Sequence, residues 1–148
     1  METTSNLFNL RRFVQAQEAN YDDALAEIKA GRKRSHWSWY VLPQVAGLGS
    51  SPMSVRYAIS GVQEAKAYLA HAVLGNRLRE CVAAMVFNTG KSAASILGDV
   101  DALKFKSCLT LFAQAEPNTI FQKALLQFFG GTEDKNTLAI LAQQAQQE

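Results

Sequence analysis

Apolar residues recur at three- and four-residue spacing through most of the chain, and nowhere do they alternate with polar ones over the length of a strand. Leu7, Leu10 and Val14, then Tyr21, Ala24, Leu25 and Ile28, give two helices, with Ser5 or Asn6 placed to cap the first and Gly31 to close the second. Ser60 and Gln63 have the spacing of a capping box ahead of Val62, Ala65 and Leu69. Leu74, Leu78, Cys81, Val82 and Met85 continue into a long helix that Asn88, Thr89 and Gly90 stop. A short helix over residues 92–97 precedes Gly98. Asp99 can then cap a helix carrying Leu103, Phe105, Cys108, Leu109, Leu111 and Phe112, apolar over most of its circumference and so expected to be the most buried. Phe121, Ala124, Leu125 and Phe128 define the next helix, ended by Gly130 and Gly131; Leu138, Leu141, Ala142 and Ala145 define the last, opened by Thr132 or Asp134. The pattern predicts an all-α, single-domain array over residues 1–148, about eight helices around one core, with residues 1–5 and 143–148 frayed.

Residues 31–51 do not share this periodicity. They hold both tryptophans, His36, the basic triplet Arg32, Lys33 and Arg34, and a run of small residues. Over residues 36–42 a helix would group His36, Trp39, Tyr40 and Pro43, whereas a strand would group Trp37, Trp39 and Val41. In a helical chain one or two helical turns are expected, ending at Leu42 because Pro43 disfavours the α region before it. Gly47, Gly49 and Pro52 make the stretch after Pro43 a loop. It is not a dinucleotide fingerprint, since Pro52 stands where the third glycine belongs, but its backbone N–H groups could cradle an anion. An aromatic, Gly/Ser-containing loop packed on the helical core completes the expected architecture.

Composition narrows the function classes. A chain of 148 residues, 48% hydrophobic, can bury a substantial core. A formal charge of +2 is too small to draw in nucleic acid by long-range attraction, so nucleic acid is not an expected partner. Cys81 and Cys108 fall on apolar helical faces and read as reduced, buried thiols. There is no basic-then-apolar leader and no apolar run near the roughly 20 residues that span a bilayer, which points to a cytoplasmic protein with no membrane association. His36 and His71 are the only imidazoles, and neither H-E-x-x-H nor paired cysteine spacing occurs, so no metal and no cofactor are expected.

The candidate chemistry is a binding site. Asp101, Lys104 and Ser107 lie three apart on one face of an otherwise apolar helix; they form either a simple ion pair or the wall of a pocket. Trp37, Trp39 and Tyr40 either stack on a base or fill the core. The basic triplet either complements the negative end of the preceding helix or binds an anion. Arg77, near a helix start where a cation is disfavoured, calls for an anion or a carboxylate such as Glu64. The candidate ligand-binding set is Lys33, His36, Trp37, Trp39, Tyr40, Gln44, Ser51, Arg77, Asp101 and Lys104, with His36, Trp39, Gln44 and Lys104 expected to converge. Aromatic faces, a Gly/Ser loop and cations together suit a small-molecule phosphate or nucleotide ligand. No motif with a known reaction mechanism is present, so the sequence assigns neither catalytic residues nor enzyme status. The rival reading is a non-enzymatic module that docks a protein or nucleic acid through the same aromatic and basic surface.

The run Lys33-x-x-His36-Trp37-x-Trp39-Tyr40-x-x-Pro43-Gln44-x-x-Gly47-Leu48-Gly49-x-Ser51 resembles the family called domain of unknown function 1810. The resemblance continues through Tyr57, Glu64-Ala65, Tyr68-Leu69, Leu74-Gly75-x-Arg77-Leu78, Asp101-x-x-Lys104, residues 107–112 and Gly131-x-x-Asp134-x-x-Thr137-Leu138, spanning residues 7–142. It implies a small multihelical cytoplasmic protein and carries over no catalytic residue; some members bear the label calpastatin, a disordered inhibitor that this chain does not resemble. Departures from the family pattern at Leu42, Ala72 and Cys108-Leu109 concern packing and leave the polar positions intact. The pattern from Glu64-Ala65-Lys66 to Leu74-Gly75-x-Arg77 is also similar to the helical YbiA-like proteins, associated with ADP-ribose chemistry, and widens the expected ligand class to ADP-ribose-like molecules.

Overall fold

The helix expected to be the most buried is the one on which the largest number of others pack. The computed structural model describes residues 7–146, and in it the helix Asp99–Ala115 holds Phe105, Cys108, Leu109, Leu111 and Phe112 with no exposed surface. The described residues form ten helices: α1 (Arg11–Glu18), α2 (Tyr21–Lys29), α3 (Ser38–Val41), α4 (Pro52–Arg56), α5 (Val62–Ala70), α6 (Leu74–Phe87), α7 (Ala93–Leu97), α8 (Asp99–Ala115), α9 (Ile120–Phe129) and α10 (Lys135–Gln146). Helices α5, α7, α9 and α10 pack on α8; α6 forms the second support, against α2, α5 and α9. The fold is all-α, as the periodicity predicts. Among the described residues there is no strand, only an isolated parallel bridge between Val45 and Ile59 that pins the loop. No helix among them is long and apolar enough to cross a membrane.

Several helix ends differ from expectation for local reasons. Left-handed Asn9 (φ 52°) breaks the first apolar run, so α1 begins at Arg11; Ser5 and Asn6 lie outside the described residues. Gly98, not Asp99, occupies the cap position of α8, and Val100 and Leu103 on its first turns are exposed, so the apolar circumference closes only from Phe105 onward. Gly130 (φ 62°) and Gly131 (φ 82°) end α9 as expected. Asp134 opens α10 by accepting from the Thr137 backbone N–H (2.9 Å) and hydroxyl (2.6 Å). The last helix seats on Thr137, Ile140 and Leu141, leaves Ala142 and Ala145 exposed, and continues through residues 143–146, which were expected to fray. Gly75 is required where α5 turns into α6: a Cβ there would lie 2.1 Å from the Leu69 carbonyl oxygen.

The Ser60–Gln63 capping box does not form. Gly61 caps α5 without a side-chain bond, and Glu64 Oε1 instead accepts from the Ser60 backbone N–H at 2.8 Å. The other oxygen of Glu64, a residue only 3% exposed, meets Arg12 at 2.9 Å. Arg12 also donates to the carbonyls of Phe8, Asn9, Arg56 and Ala58. One guanidinium thus joins α1, the end of α4 and α5, and satisfies carbonyls that no helix would. Deeper in, the Gln17 amide donates to the Tyr40 carbonyl (2.7 Å) and the Tyr68 hydroxyl (3.1 Å), holding α3 against α1 and α5.

Arg12→Ala leaves Glu64 charged, buried and without its partner, which should cost about 3–5 kcal/mol in urea unfolding; a loss near zero would show that the pair does not join these elements. Both thiols are free and fully buried, and burial pushes the Cys81 thiol up to about 12. Native protein should therefore resist thiol labelling at neutral pH, and denatured protein should label at both sites. Rapid native labelling would contradict the core placement.

Candidate functional site

The candidate segment is positioned by one carboxylate. At the end of α2 the chain reverses through left-handed Gly31 (φ 77°), with Gly31 N–H bonded to the Ile28 carbonyl and Arg32 N–H to the Glu27 carbonyl. Residues 32–37 are irregular, and Glu27 collects their donors: the backbone N–H groups of Arg34 (2.7 Å) and Ser35 (2.9 Å), the Ser35 hydroxyl (2.7 Å) and the Trp37 indole N–H (3.0 Å). Partial burial alone would raise the Glu27 carboxyl; these four hydrogen bonds outweigh it and hold the group down to about 2. The Lys33 N–H bonds to the Ile96 carbonyl at 2.7 Å, tying the segment to α7. Glu27 was not among the sequence candidates. Its signal was available: an acid in the last turn of a helix opposes the dipole and so implies donors from outside the helix.

From this clamp the side chains diverge. Trp37 is fully buried, so its ring is core. Lys33 Nζ lies 5.1 Å from the centroid of that ring and 2.8 Å from Asp101 Oδ2, its side chain only 8% exposed. Asp101 also faces Lys104 Nζ at 3.7 Å, and Lys104 in turn lies 5.2 Å from the centroid of half-buried Trp39. Burial would raise the Asp101 carboxyl, but the hydrogen bond and charge of Lys33, the Ser38 hydroxyl and the charge of Lys104 leave it below the ordinary range. The buried Ser38 hydroxyl favours that charge from nearby, yet no hydrogen bond of good geometry joins the two. The face bearing Asp101 and Lys104 is therefore linked to both tryptophans through cations.

Of the four residues expected to converge, three do. Trp39 and Gln44 line a pocket of about 100 Å³ with Gly47, Gly49, Ser54 and Tyr57. Gln44, Gly49 and Ser54 also border an adjoining cleft of about 470 Å³, whose other wall is Lys104, Ser107, Asp134 and Asn136. His36 is exposed and lines neither cavity; its carbonyl accepts from the Tyr40 hydroxyl at 3.4 Å. Tyr40 is buried, with its hydroxyl bonded to Asn20 Nδ2 at 2.6 Å. Ser51 caps α4 by accepting from the Ser54 N–H. Arg77 is not paired with Glu64: it donates to Gln17 Oε1 at 3.3 Å and lies 4.9 Å from the Tyr21 ring centroid, away from the cleft. Ser54, Asp134 and Asn136 join the site unpredicted, because only the folded loop and the start of α10 bring them to α8. No group of three or more His, Cys, Asp or Glu side chains among the described residues is arranged to hold a metal.

The clamp has a defined pH dependence. A carboxyl lowered from 4.5 to about 2 stabilises the fold fully above pH 4.5, and that contribution disappears as pH falls from there toward 2. Glu27→Gln should lose about 2 kcal/mol at neutral pH, the scale of hydrogen bonds to a charged group, and its stability should change less than the wild type's between pH 4.5 and 2. Parallel urea curves across that window for both proteins would show that Glu27 carries no such load.

Comparison with known proteins agrees with this architecture. The family model described as a protein of unknown function, DUF1810, matches residues 7–141. The crystal structure of the conserved hypothetical protein Rv1873 from Mycobacterium tuberculosis is similar over 91% of this chain and 97% of that one, with 49% sequence identity and a TM-score of 0.89. No curated protein matches the chain. With the family pattern running from the first described helix into the last, and a 49% identical relative sharing the whole fold, the chain belongs to the DUF1810 family of proteins of unknown function.

Proposed function

We propose that the chain binds a small phosphorylated molecule, nucleotide-like or ADP-ribose-like, in the cleft between the 44–54 loop and the outer turns of α8 and α10. The observation that carries this reading is the Lys104 ammonium beside the half-buried face of Trp39, where the pocket and the cleft share Gln44. A planar group packs against Trp39, an anionic group pairs with Lys104, and Gln44, Ser54, Asp134 and Asn136 offer donors and acceptors to sugar hydroxyls. The cleft volume of about 470 Å³ lies within the roughly 300–1,000 Å³ of ordinary small-ligand sites. Of the expected ligand set, Trp39, Gln44 and Lys104 act directly. Lys33 and Asp101 position Lys104, whereas Trp37, Tyr40 and Arg77 serve the core and Ser51 the loop. The two free, buried thiols support a reducing, cytoplasmic setting.

A second reading has its own observation: Val55, Val100 and Leu103, each about two-thirds exposed, rim the same cavities and suit a docked protein. Thermal-shift measurements with nucleotides, ADP-ribose and sugar phosphates separate the two. At least one ligand should raise the melting temperature, by about 2.7 kcal/mol of added stability at a hundredfold excess over its Kd. Lys104→Ala and Trp39→Ala should abolish the rise while His36→Ala leaves it intact. If no such ligand shifts the wild type, and capture of a partner protein is lost in Val100→Asp or Leu103→Asp, the docking module takes its place.

A further inference from the structure

The basic triplet has no partner in the ligand reading beyond Lys33. Arg32 and Arg34 are exposed, form no ion pair among the described residues, and line a depression of about 380 Å³ together with Glu27, Ala26 and Ala30. Arg34 immediately precedes Ser35 and Arg32 stands three residues before it, and Ser35 is itself exposed on an irregular segment between α2 and α3. An exposed hydroxyl after two arginines and a lysine matches the acidic substrate grooves of serine kinases that select basic sequences. Other serines lack the combination: Ser107 comes after Lys104 and Lys106 but is buried, and Ser92 comes after a single lysine and caps α7. What distinguishes Ser35 further is its partner. Its hydroxyl donates 2.7 Å to Glu27 Oε2, on the same carboxylate whose Oε1 receives the Trp37 indole.

We propose that Ser35 is a phosphorylation site for a basic-sequence-directed serine kinase, and that a phosphate there dismantles the Glu27 clamp on Trp37. In the transfer, Ser35 Oγ bonds to the γ-phosphorus of ATP, the bond from that phosphorus to the β,γ-bridging oxygen breaks, ADP leaves, and the hydroxyl proton passes to the kinase's base. The product loses the O–H donor that Ser35 gave to Glu27 and gains a group of charge about −1.5 to −2 beside that carboxylate. Repulsion drives the two apart, and Arg32 and Arg34 are the cations in the same depression able to take the phosphate. Trp37 then loses a held acceptor for its buried indole N–H, and Lys33, which sits between the Trp37 ring and Asp101, loses one side of its setting. The consequence reaches the cleft through Asp101 and Lys104.

The test uses the whole chain, the catalytic subunit of cAMP-dependent protein kinase and Mg-ATP. Fragmentation mass spectrometry should place one phosphate on Ser35, absent in Ser35→Ala. The rate should fall about tenfold or more in Arg32→Ala/Arg34→Ala, which removes two charge-assisted contacts to the kinase. The phosphoprotein should melt at a lower temperature with red-shifted tryptophan emission, and Ser35→Glu should move both in the same direction without any kinase. If a peptide of residues 31–38 is phosphorylated but the folded chain is not, or if phosphate goes elsewhere, the site is refuted. If Ser35 is labelled and neither the phosphoprotein nor Ser35→Glu alters emission or melting, the clamp release is refuted.

Discussion

The Glu27 carboxylate does for residues 32–37 what a helix or sheet does for other segments. An irregular stretch that crosses the edge of the core must still satisfy its backbone N–H groups. Here the N–H groups of Arg34 and Ser35 go to one oxygen of Glu27, which also takes the Trp37 indole. The helix dipole opposes an acid at this end of α2 by some 0.3–1 kcal/mol, and four donors more than offset it. Because the indole nitrogen is fixed at its polar end, the large Trp37 ring enters the core in one orientation. Lys33 is then confined between that ring and Asp101.

Arg12 applies the same logic with the opposite charge. Its guanidinium gathers four backbone carbonyls, from Phe8 and Asn9 just before α1 and from Arg56 and Ala58 at and beyond the end of α4, while pairing with buried Glu64. Five donors in a rigid fork fit that task better than any lysine would. Between them, Glu27 and Arg12 hold the two ends of the stretch from Gly31 to Ser60, whose helices are the short α3 and α4. Within it the loop wall of the cavities is fixed locally: the bridge from Val45 to Ile59 closes the loop, and α4 rests on its Ser51 cap.

The helices were legible because burial imposes a period on the sequence, and a period survives without knowledge of neighbours. Phe105 through Phe112, Cys81 with Met85, and Phe121 with Leu125 all occupy the faces their spacing predicts. Polar partners were not legible in the same way, since a charge reveals that it needs a partner but not which one. The position of Arg77 near a helix start calls for an anion or a carboxylate such as Glu64; the fold gives Glu64 to Arg12, from a helix some fifty residues earlier, and gives Arg77 to Gln17 and the Tyr21 ring. The Ser60–Gln63 pair failed for a related reason: Glu64, one position later, competes for the Ser60 N–H with a full charge and wins. In residues 36–42 each ring faced the same choice between core and cleft. Composition could not separate Trp37, with its indole bound by Glu27, from Trp39, which remains half-buried beside Lys104.

The electrostatics of the cleft turn on how Asp101 divides itself between two lysines. Its contact with Lys33 is shorter, 2.8 Å against 3.7 Å for Lys104, but Coulomb's law at an effective dielectric near 20 makes that difference only about 1–1.5 kcal/mol. Desolvation decides the matter more firmly. The Lys33 side chain is 8% exposed and would be left a buried, unpaired charge if Asp101 turned away, whereas Lys104, at 24%, keeps access to water. Asp101 therefore stays with Lys33, and Lys104 is the cation that can exchange its partner for an incoming anion at little cost. The trio carries a net single positive charge, and Asp134 stands on the same cleft wall to balance it. An anion of the proposed kind would be drawn only weakly from a distance, in keeping with the chain's formal charge of only +2. For the proposed ligand, selectivity would come from fit, with Gln44 on one side of the cleft, Asp134 and Asn136 on the other and Trp39 in the adjoining pocket, rather than from charge alone.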